Sequence, residues 1–152
     1  MQTIERRRRI LFVCAEDSCR SAMAEGWARQ LHGRSLDVVS AGVGDVEHDA
    51  LAVRVLAEVG VDITGVRPTR IDALDLAAFD HVVVLGNRRT PIDGYPNVLR
   101  FAFEDPQHFA ASARSEEEAM IPYRRVRNEL RELVESLPGS LEQAGTPLAE
   151  TS

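Results

Sequence analysis

Cys14 and Arg20, which are separated by five residues, form the pair best suited to chemistry in this chain. Cys14 directly follows the apolar run Ile10–Val13, and Arg20 stands where a helical pattern begins. A helix N-terminus and a nearby guanidinium both lower the pKa of a cysteine, so Cys14 is predicted to act as a thiolate nucleophile. The planar fork of Arg20 matches two oxygens of phosphate or arsenate. The pattern therefore predicts attack on a tetrahedral oxyanion.

The loop between these two residues is predicted to hold the oxyanion. Its residues are Ala15, Glu16, Asp17, Ser18 and Cys19. Successive backbone N–H groups in such a loop can converge on one anion, and Ser21 completes the predicted oxyanion-binding loop. Ser21 is also a candidate hydrogen-bond donor to the thiolate sulfur. A buried and inert Cys14 is the competing interpretation, because free cysteines are among the most buried residues.

From about residue 9 to residue 137, the chain resembles the low-molecular-weight protein tyrosine phosphatases and their relatives, the thioredoxin-coupled arsenate reductases. The resemblance rests on Cys14, on Arg20-Ser21 and, far downstream, on Asp105-Pro106. The segments 18–27 and 101–106 look more like the arsenate reductase branch. The resemblance implies that Asp105 is the general acid that protonates the leaving group. An ordinary Asp-Pro turn is the alternative.

Three departures from the family pattern bear on function. Glu16-Asp17 replaces the Gly-Asn of both branches, and two carboxylates beside an oxyanion would repel it. Gly86 stands where the reductases carry their first relay cysteine, and the chain has only two cysteines in all. Electrons for arsenate reduction would therefore come through Cys19 or an external thiol, such as glutathione or mycothiol. Gln107-His108-Phe109 replaces the tyrosines that usually follow Asp-Pro in the phosphatase branch.

Cys19 has two interpretations. It is either a small core residue at the start of a helix or the partner of Cys14 in a reversible disulfide that shields the thiolate from further oxidation. A disulfide requires Cα atoms within about 7 Å of each other, which the sequence does not determine.

No metal site and no tightly bound cofactor are predicted. The four histidines show no ligand spacing with each other or with the cysteines. The resemblance implies that some arsenate reductases hold a monovalent cation beneath the loop, and Asp17, Glu25 and Ser40 match three of its ligand positions. Thr69 stands where a further carboxylate would be, which weakens the match.

The hydrophobic pattern predicts alternating strands and helices. Four short apolar runs are typical of buried parallel strands: residues 10–13, 36–40, 81–85 and 98–101. Three longer stretches have helical periodicity: residues 20–32, residues 48–59 and a last stretch that begins with a capping box at 115–118 and runs up to residue 137. A further short helix is predicted at 71–78. Pro122 predicts a kink or a late start of the last helix. The alternation predicts an α/β fold, a single three-layer domain with a four-stranded parallel sheet and helices on both faces.

The domain is predicted to span residues 9–138, between a flexible basic N-terminus (1–8) and a disordered tail (139–152).

A formal net charge of −6 argues against nucleic acid as a partner. No apolar stretch approaches the roughly 20 residues that a membrane span needs, and no signal-peptide pattern is present. Two cysteines in such a chain indicate a reducing, cytoplasmic setting.

Three functions fit these observations. The first is arsenate reduction to arsenite through a Cys14 adduct and an external thiol, with a thiol-redox protein as a further candidate partner. The second is a phosphatase that forms a phosphocysteine. The third is a weak or inactive homologue that binds an anion or a partner, because of Glu16-Asp17. The residues around Cys19 and Trp27 favour the first.

Overall fold

The computed structural model describes residues 7–14, 19–43, 49–86, 89–139 and 141. Within them, five strands form one parallel sheet: β1 Arg8–Cys14, β2 Leu36–Gly42, β3 Thr69–Arg70, β4 His81–Leu85 and β5 Val98–Phe101. The helices of the same residues are α1 Cys19–His32, α2 Ala50–Ala57, α3 Pro106–Ala110 and α4 Glu116–Glu135. The order across the sheet is β3-β2-β1-β4-β5, so β1 is the central strand.

The helices α1, α2 and α4 cover one face of the sheet. Phe12 and Cys14 of β1 face these helices and are completely buried, whereas Val13 faces the opposite side. This alternation is that of successive residues in a strand. The second face is covered by two 3-10 turns, Ile71–Ala73 and Leu76–Ala78, and by the connection from β4 to β5. The predicted three-layer α/β fold is therefore confirmed, with short turns in place of the helix predicted at 71–78.

The sequence predicted four strands, and the structure contains a fifth. β3 pairs with β2 through only two positions, where Thr69 lies beside Ala41 and Arg70 lies beside Gly42. A strand of two residues has no alternating hydrophobic pattern, so the sequence carries no signal for it. The other four strands coincide with the predicted runs, β4 and β5 at both ends.

The ends of two helices differ from the prediction. α2 begins at Ala50 because the carboxylate of Asp49 caps it, and it ends at Ala57 rather than at residue 59. The predicted first residue, His48, lies outside the described residues. α4 starts where the capping box predicts and continues past Pro122, so a late start is wrong, and it ends at Glu135 rather than at residue 137. Among the described residues, no helix combines the length and the apolar character needed to cross a membrane.

The folded domain extends beyond the predicted bounds of 9–138. Arg8 belongs to β1, and the guanidinium of Arg7 donates hydrogen bonds to the carbonyl groups of Gly33 and Leu36. At the other end, Leu141 is buried in the core between the sheet and the helices. The rest of the predicted N-terminus and nearly all of the predicted tail lie outside the described residues.

A cluster of charged side chains fastens α2 to α4. The Glu58 carboxylate, directly after α2, accepts hydrogen bonds from Arg124 at 2.9 and 2.7 Å and from Arg127 at 2.9 Å. Arg127 is buried, also donates to the carbonyl of Val55, and accepts the indole N–H of Trp27 at 3.0 Å through its own carbonyl. The hydrogen bonds from Arg124, above all, hold the pKa of Glu58 at about 2, well below its ordinary value. The cluster therefore fixes α4 against both α1 and α2.

Replacing Glu58 with glutamine should destabilise the protein by about 1 kcal/mol at neutral pH, because Arg124 and the buried Arg127 lose an anionic partner. The pKa of Glu58 in the folded state is about 2, against an ordinary 4.5. The contribution of the Glu58 carboxylate to the free energy of unfolding is therefore complete above the ordinary pKa, and it is lost as the pH falls towards the folded-state pKa. Urea unfolding at a series of pH values measures it.

The difference in the free energy of unfolding between wild type and Glu58→Gln should become steadily smaller as the pH falls below the ordinary carboxylate pKa. Glu135→Gln is the matched control, since the carboxylate of Glu135 pairs with Arg131 on the exposed side of α4. That variant should stay close to wild type at every pH. A difference for Glu58→Gln that does not change with pH would contradict the assignment.

Candidate active site

The Cys14 thiol lies at the carboxyl end of the central strand and at the N-terminus of α1. Cys14 is the last residue of β1, and α1 begins at Cys19. The backbone N–H of Ser21 donates a hydrogen bond to the Cys14 sulfur at 2.9 Å. An N–H donor on the sulfur stabilises the thiolate over the thiol. The sequence pattern indicated Ser21 as a donor to this sulfur, and in the structure its main-chain amide makes the contact.

Arg20 lies at the same edge of the sheet and is almost completely buried, with 4% of its surface exposed. Its Nη1 donates a hydrogen bond to the carbonyl of Phe103 at 2.9 Å. Phe103 follows β5, so the arginine reaches from the start of α1 across to the segment that carries Asp105. A guanidinium held in this way is oriented in advance, which reduces the entropy lost when it binds an anion.

Asp105 caps α3, a helix of five residues that the hydrophobic pattern did not predict. Its Oδ1 accepts the backbone N–H of Gln107 at 3.0 Å, and Pro106 occupies the first turn. Both are ordinary helix-start features. The predicted turn is therefore a helix start, and it places the Asp105 carboxylate two residues beyond the Phe103 carbonyl that Arg20 binds.

The predicted oxyanion loop is described only at its ends. Ala15, Glu16, Asp17 and Ser18 lie outside the described residues. Cys14 and Cys19, at the two ends, are both buried, and no disulfide joins them in the structure. The reversible disulfide between these cysteines stays a prediction.

Gly86, at the position of the absent relay cysteine, lies against Arg20. Its φ is +144°, a conformation that residues with a side chain rarely adopt. A Cβ at this position would lie 2.7 Å from Nη1 of Arg20. The backbone is fixed on both sides, since the Gly86 N–H donates to Phe101 and its carbonyl accepts from Arg100, each at 2.9 Å. A side chain at position 86 would therefore require the guanidinium end of Arg20 to shift.

The connection from β4 to β5 is anchored by Asp93. Its two carboxylate oxygens accept hydrogen bonds from Arg100 at 3.1 and 3.0 Å, and from the hydroxyl and backbone N–H of Thr90 at 2.6 and 3.0 Å. Partial burial works against the charged form, but these bonds together hold the pKa of Asp93 below its usual value. The connection is therefore fastened to β5 through Arg100, which also binds Gly86.

Asp49 and Tyr123 belong to the surroundings of Asp105, and the sequence pattern predicted neither of them as a site residue. Oδ2 of Asp49 accepts the Gln107 side-chain amide at 2.9 Å and the Tyr123 hydroxyl at 2.8 Å. An aspartate just before a helical pattern predicts an N-cap. No local signal predicts that the same carboxylate also binds Gln107 and Tyr123, which lie 58 and 74 positions further along the chain.

The described residues do not fit the monovalent cation that the resemblance implies. The Ser40 hydroxyl is buried with no hydrogen-bond partner in the described part of the chain. Glu25, however, already pairs with Arg29 at 2.9 Å, and Thr69 carries no charge. Asp17 lies outside the described residues. No group of three or more His, Cys, Asp or Glu side chains within the described ranges could hold a metal ion.

A protein-family comparison decides the family. The model of the low molecular weight phosphotyrosine protein phosphatases matches residues 9–148 of this chain. The chain belongs to this family. The resemblance derived from Cys14, Arg20 and Asp105 is therefore confirmed, as is the fold that it implied.

Within the low-molecular-weight phosphatase family, the similar proteins include arsenate reductases. The arsenate reductase of Bacillus subtilis (strain 168) is 38% identical over 126 residues, which cover 80% of this chain and 88% of that protein. A solved arsenate reductase in the phosphate binding state has a TM-score of 0.72 and 29% identity, over 88% of this chain and 98% of the other. The low molecular weight protein tyrosine phosphatase from T. tengcongensis has a TM-score of 0.67 and 27% identity, over 88% and 99%. Both branches of the predicted function are thus represented.

Proposed function

We propose that this protein reduces arsenate to arsenite through a covalent adduct on Cys14, with electrons from an external thiol. The observation that carries the proposal is the 2.9 Å hydrogen bond from the Ser21 N–H to the Cys14 sulfur, at the N-terminus of α1. It favours a thiolate at the edge of the sheet to which Arg20 also extends. The arsenate reductases among the similar proteins support arsenate as the substrate.

The first chemical step joins Cys14 to arsenic. The thiolate attacks As(V), an S–As bond forms, and an As–O bond breaks. Arg20 and the N–H groups of the loop 15–19 hold the remaining oxygens, and Asp105 gives a proton to the departing oxygen, which leaves as water. Ser21 stabilises the thiolate before the attack and the sulfur after it.

The second step needs two electrons, which two thiols supply. A thiol attacks the Cys14 sulfur, the S–As electron pair goes to arsenic, and arsenite leaves. The product is a mixed disulfide, which a second thiol reduces to free Cys14. Cys19 is the alternative attacking thiol, and it would leave a Cys14–Cys19 disulfide for external thiols to reduce. Glutathione or mycothiol would serve, either directly or through a thiol-redox protein, and such a donor places the reaction in the cytoplasm.

A phosphatase is the second candidate, because a phosphate ester would meet the same nucleophile, arginine and acid. Cys14 would form a phosphocysteine, Asp105 would protonate the leaving alcohol, and water would complete the cycle. Gln107, whose side chain is held by Asp49, stands where the resemblance to the phosphatase branch implies a tyrosine. The amide side chain there favours the small inorganic substrate.

The test compares two reactions in the wild type and two variants. Arsenate reduction is measured with glutathione, mycothiol or thioredoxin systems, and hydrolysis is measured with para-nitrophenyl phosphate. We expect arsenate turnover with a low-molecular-weight thiol, and a loss of about 10⁴-fold or more in Cys14→Ser. Cys19→Ser separates the two routes: activity persists if an external thiol attacks directly and is lost if Cys19 does.

Two outcomes would contradict arsenate reduction. A higher kcat/KM for the phosphate ester than for arsenate would assign the protein as a phosphatase. Phosphate binding without turnover in any assay would assign it as a binding homologue, with Glu16 and Asp17 as the first residues to replace.

A further inference from the structure

The carboxylate of Asp49 connects three helices beside the proposed active site. Its Oδ1 accepts the backbone N–H groups of Leu51 at 3.0 Å and Ala52 at 3.3 Å, which caps α2. Its Oδ2 accepts the side-chain amide of Gln107 in α3 and the hydroxyl of Tyr123 in α4. One carboxylate therefore uses one oxygen for α2 and the other for α3 and α4.

Gln107 carries this connection to Asp105. Its side chain is held by Asp49, and its backbone N–H donates to Oδ1 of Asp105 at 3.0 Å. Within the described part of the chain, Oδ2 of Asp105 has no hydrogen-bond donor, so it is the oxygen that would carry a proton. Fixing Gln107 thus fixes the direction in which the Asp105 carboxyl points.

α3 takes its orientation from the elements packed against it, chiefly α4. It has five residues, and Pro106 is the one that is buried. A helix this short is not stable by itself and takes its position from neighbouring parts of the protein. Tyr123, by contrast, is 2% exposed and belongs to the long helix α4. Asp49 therefore adds a side-chain link from this short helix to α2 and α4.

We propose that Asp49, itself held by Tyr123, is a positioning residue that aims the Asp105 carboxyl at the departing oxygen through Gln107. The inference rests on the proposed function, in which Asp105 protonates that oxygen. Asp49 touches no substrate in this scheme. Its loss should leave oxyanion binding intact and slow the proton transfer.

Asp49→Ser in the full-length protein tests the proposal. Serine is as good an N-cap as aspartate, so α2 stays capped, but serine has no second oxygen for Gln107 and Tyr123. We expect kcat for arsenate reduction to fall about tenfold, while the KM for arsenate and the Kd for inorganic phosphate stay within about twofold. Tyr123→Phe should lower kcat in the same direction by a smaller factor.

The matched control is Asp75→Ser. Asp75 also caps a short helical turn, accepting the Ala77 N–H at 3.1 Å, but it lies on the opposite face of the sheet. Its replacement by serine should leave kcat unchanged. A second comparison uses Asp105→Asn: once the acid is removed, adding Asp49→Ser should cause no further loss of kcat.

The outcomes separate the positioning role from the proposed function. A wild-type kcat in Asp49→Ser, or an equal loss with and without Asp105, would overturn the positioning role. NMR-detected hydrogen exchange of the Gln107 backbone amide, which donates to Asp105, gives a readout that does not depend on activity. This exchange should accelerate in Asp49→Ser. Unchanged exchange would also overturn the inference. A wild-type kcat in Asp105→Asn would instead overturn the proposed acid.

Discussion

Arg20→Lys should lower kcat/KM for arsenate by about 10²–10³-fold. Lysine keeps the positive charge but lacks the planar fork that binds two oxygens at once, and the loss of one oxyanion donor has effects of this size. The variant also loses the hydrogen bond to the Phe103 carbonyl, which amounts to about 1 kcal/mol of stability. Steady-state kinetics with arsenate measure the loss of kcat/KM, and titration with inorganic phosphate measures the loss of oxyanion binding.

Arg114→Lys is the control for this experiment. Arg114 is exposed in the connection between α3 and α4, so its replacement tests the exchange of arginine for lysine without touching the site. It should behave as wild type. If Arg20→Lys retained kcat/KM within about threefold, the guanidinium would not hold the oxyanion, and the proposed reaction would lose its main anion ligand.

Gly86→Ala should reduce both stability and activity. The φ of +144° costs an alanine about 1–3 kcal/mol, and the new Cβ would lie 2.7 Å from Nη1 of Arg20. A shift of about 1 Å in a substrate-binding group lowers turnover by about 10²-fold, so we expect a loss of this order in kcat/KM. Urea unfolding and the arsenate assay measure the two effects.

Gly94→Ala provides the matched control in the same β4–β5 connection, since a Cβ there meets no atom within 4 Å. It should be close to wild type in both measurements. Gly86→Cys tests the family comparison directly: it should gain no thioredoxin-dependent turnover, because no second relay cysteine follows in the β4–β5 connection. Full activity in Gly86→Ala would show that Arg20 tolerates a side chain at this position.

The sequence predicted the parts of this protein that local patterns determine. The buried run before Cys14, the helix after it and the capping box at Ser115 each depend on contacts within a few residues, and the structure contains all three. The relation of Cys14 to Arg20 follows from the same local geometry, because a strand, a loop and a helix N-terminus are consecutive in the chain.

The features that the sequence did not predict depend on distant residues or on very short elements. β3 has two residues and α3 has five, so neither shows a periodic pattern. The bonds from Asp49 to Gln107 and Tyr123 join positions that only the fold brings together. The closeness of Gly86 to Arg20 is of the same kind, since the missing cysteine was visible in the sequence but the space available at its position was not.

The order of strands divides the proposed chemistry between two halves of the chain. The nucleophile and its arginine precede the exposed turn at Thr64–Gly65, whereas Asp105 follows it. The halves meet where β1 pairs with β4 and where α1 packs on α4. A polypeptide cut at this turn would yield two fragments, and neither of them alone should turn over substrate. When the two fragments reassociate, Cys14, Arg20 and Asp105 should be brought together again and activity should return.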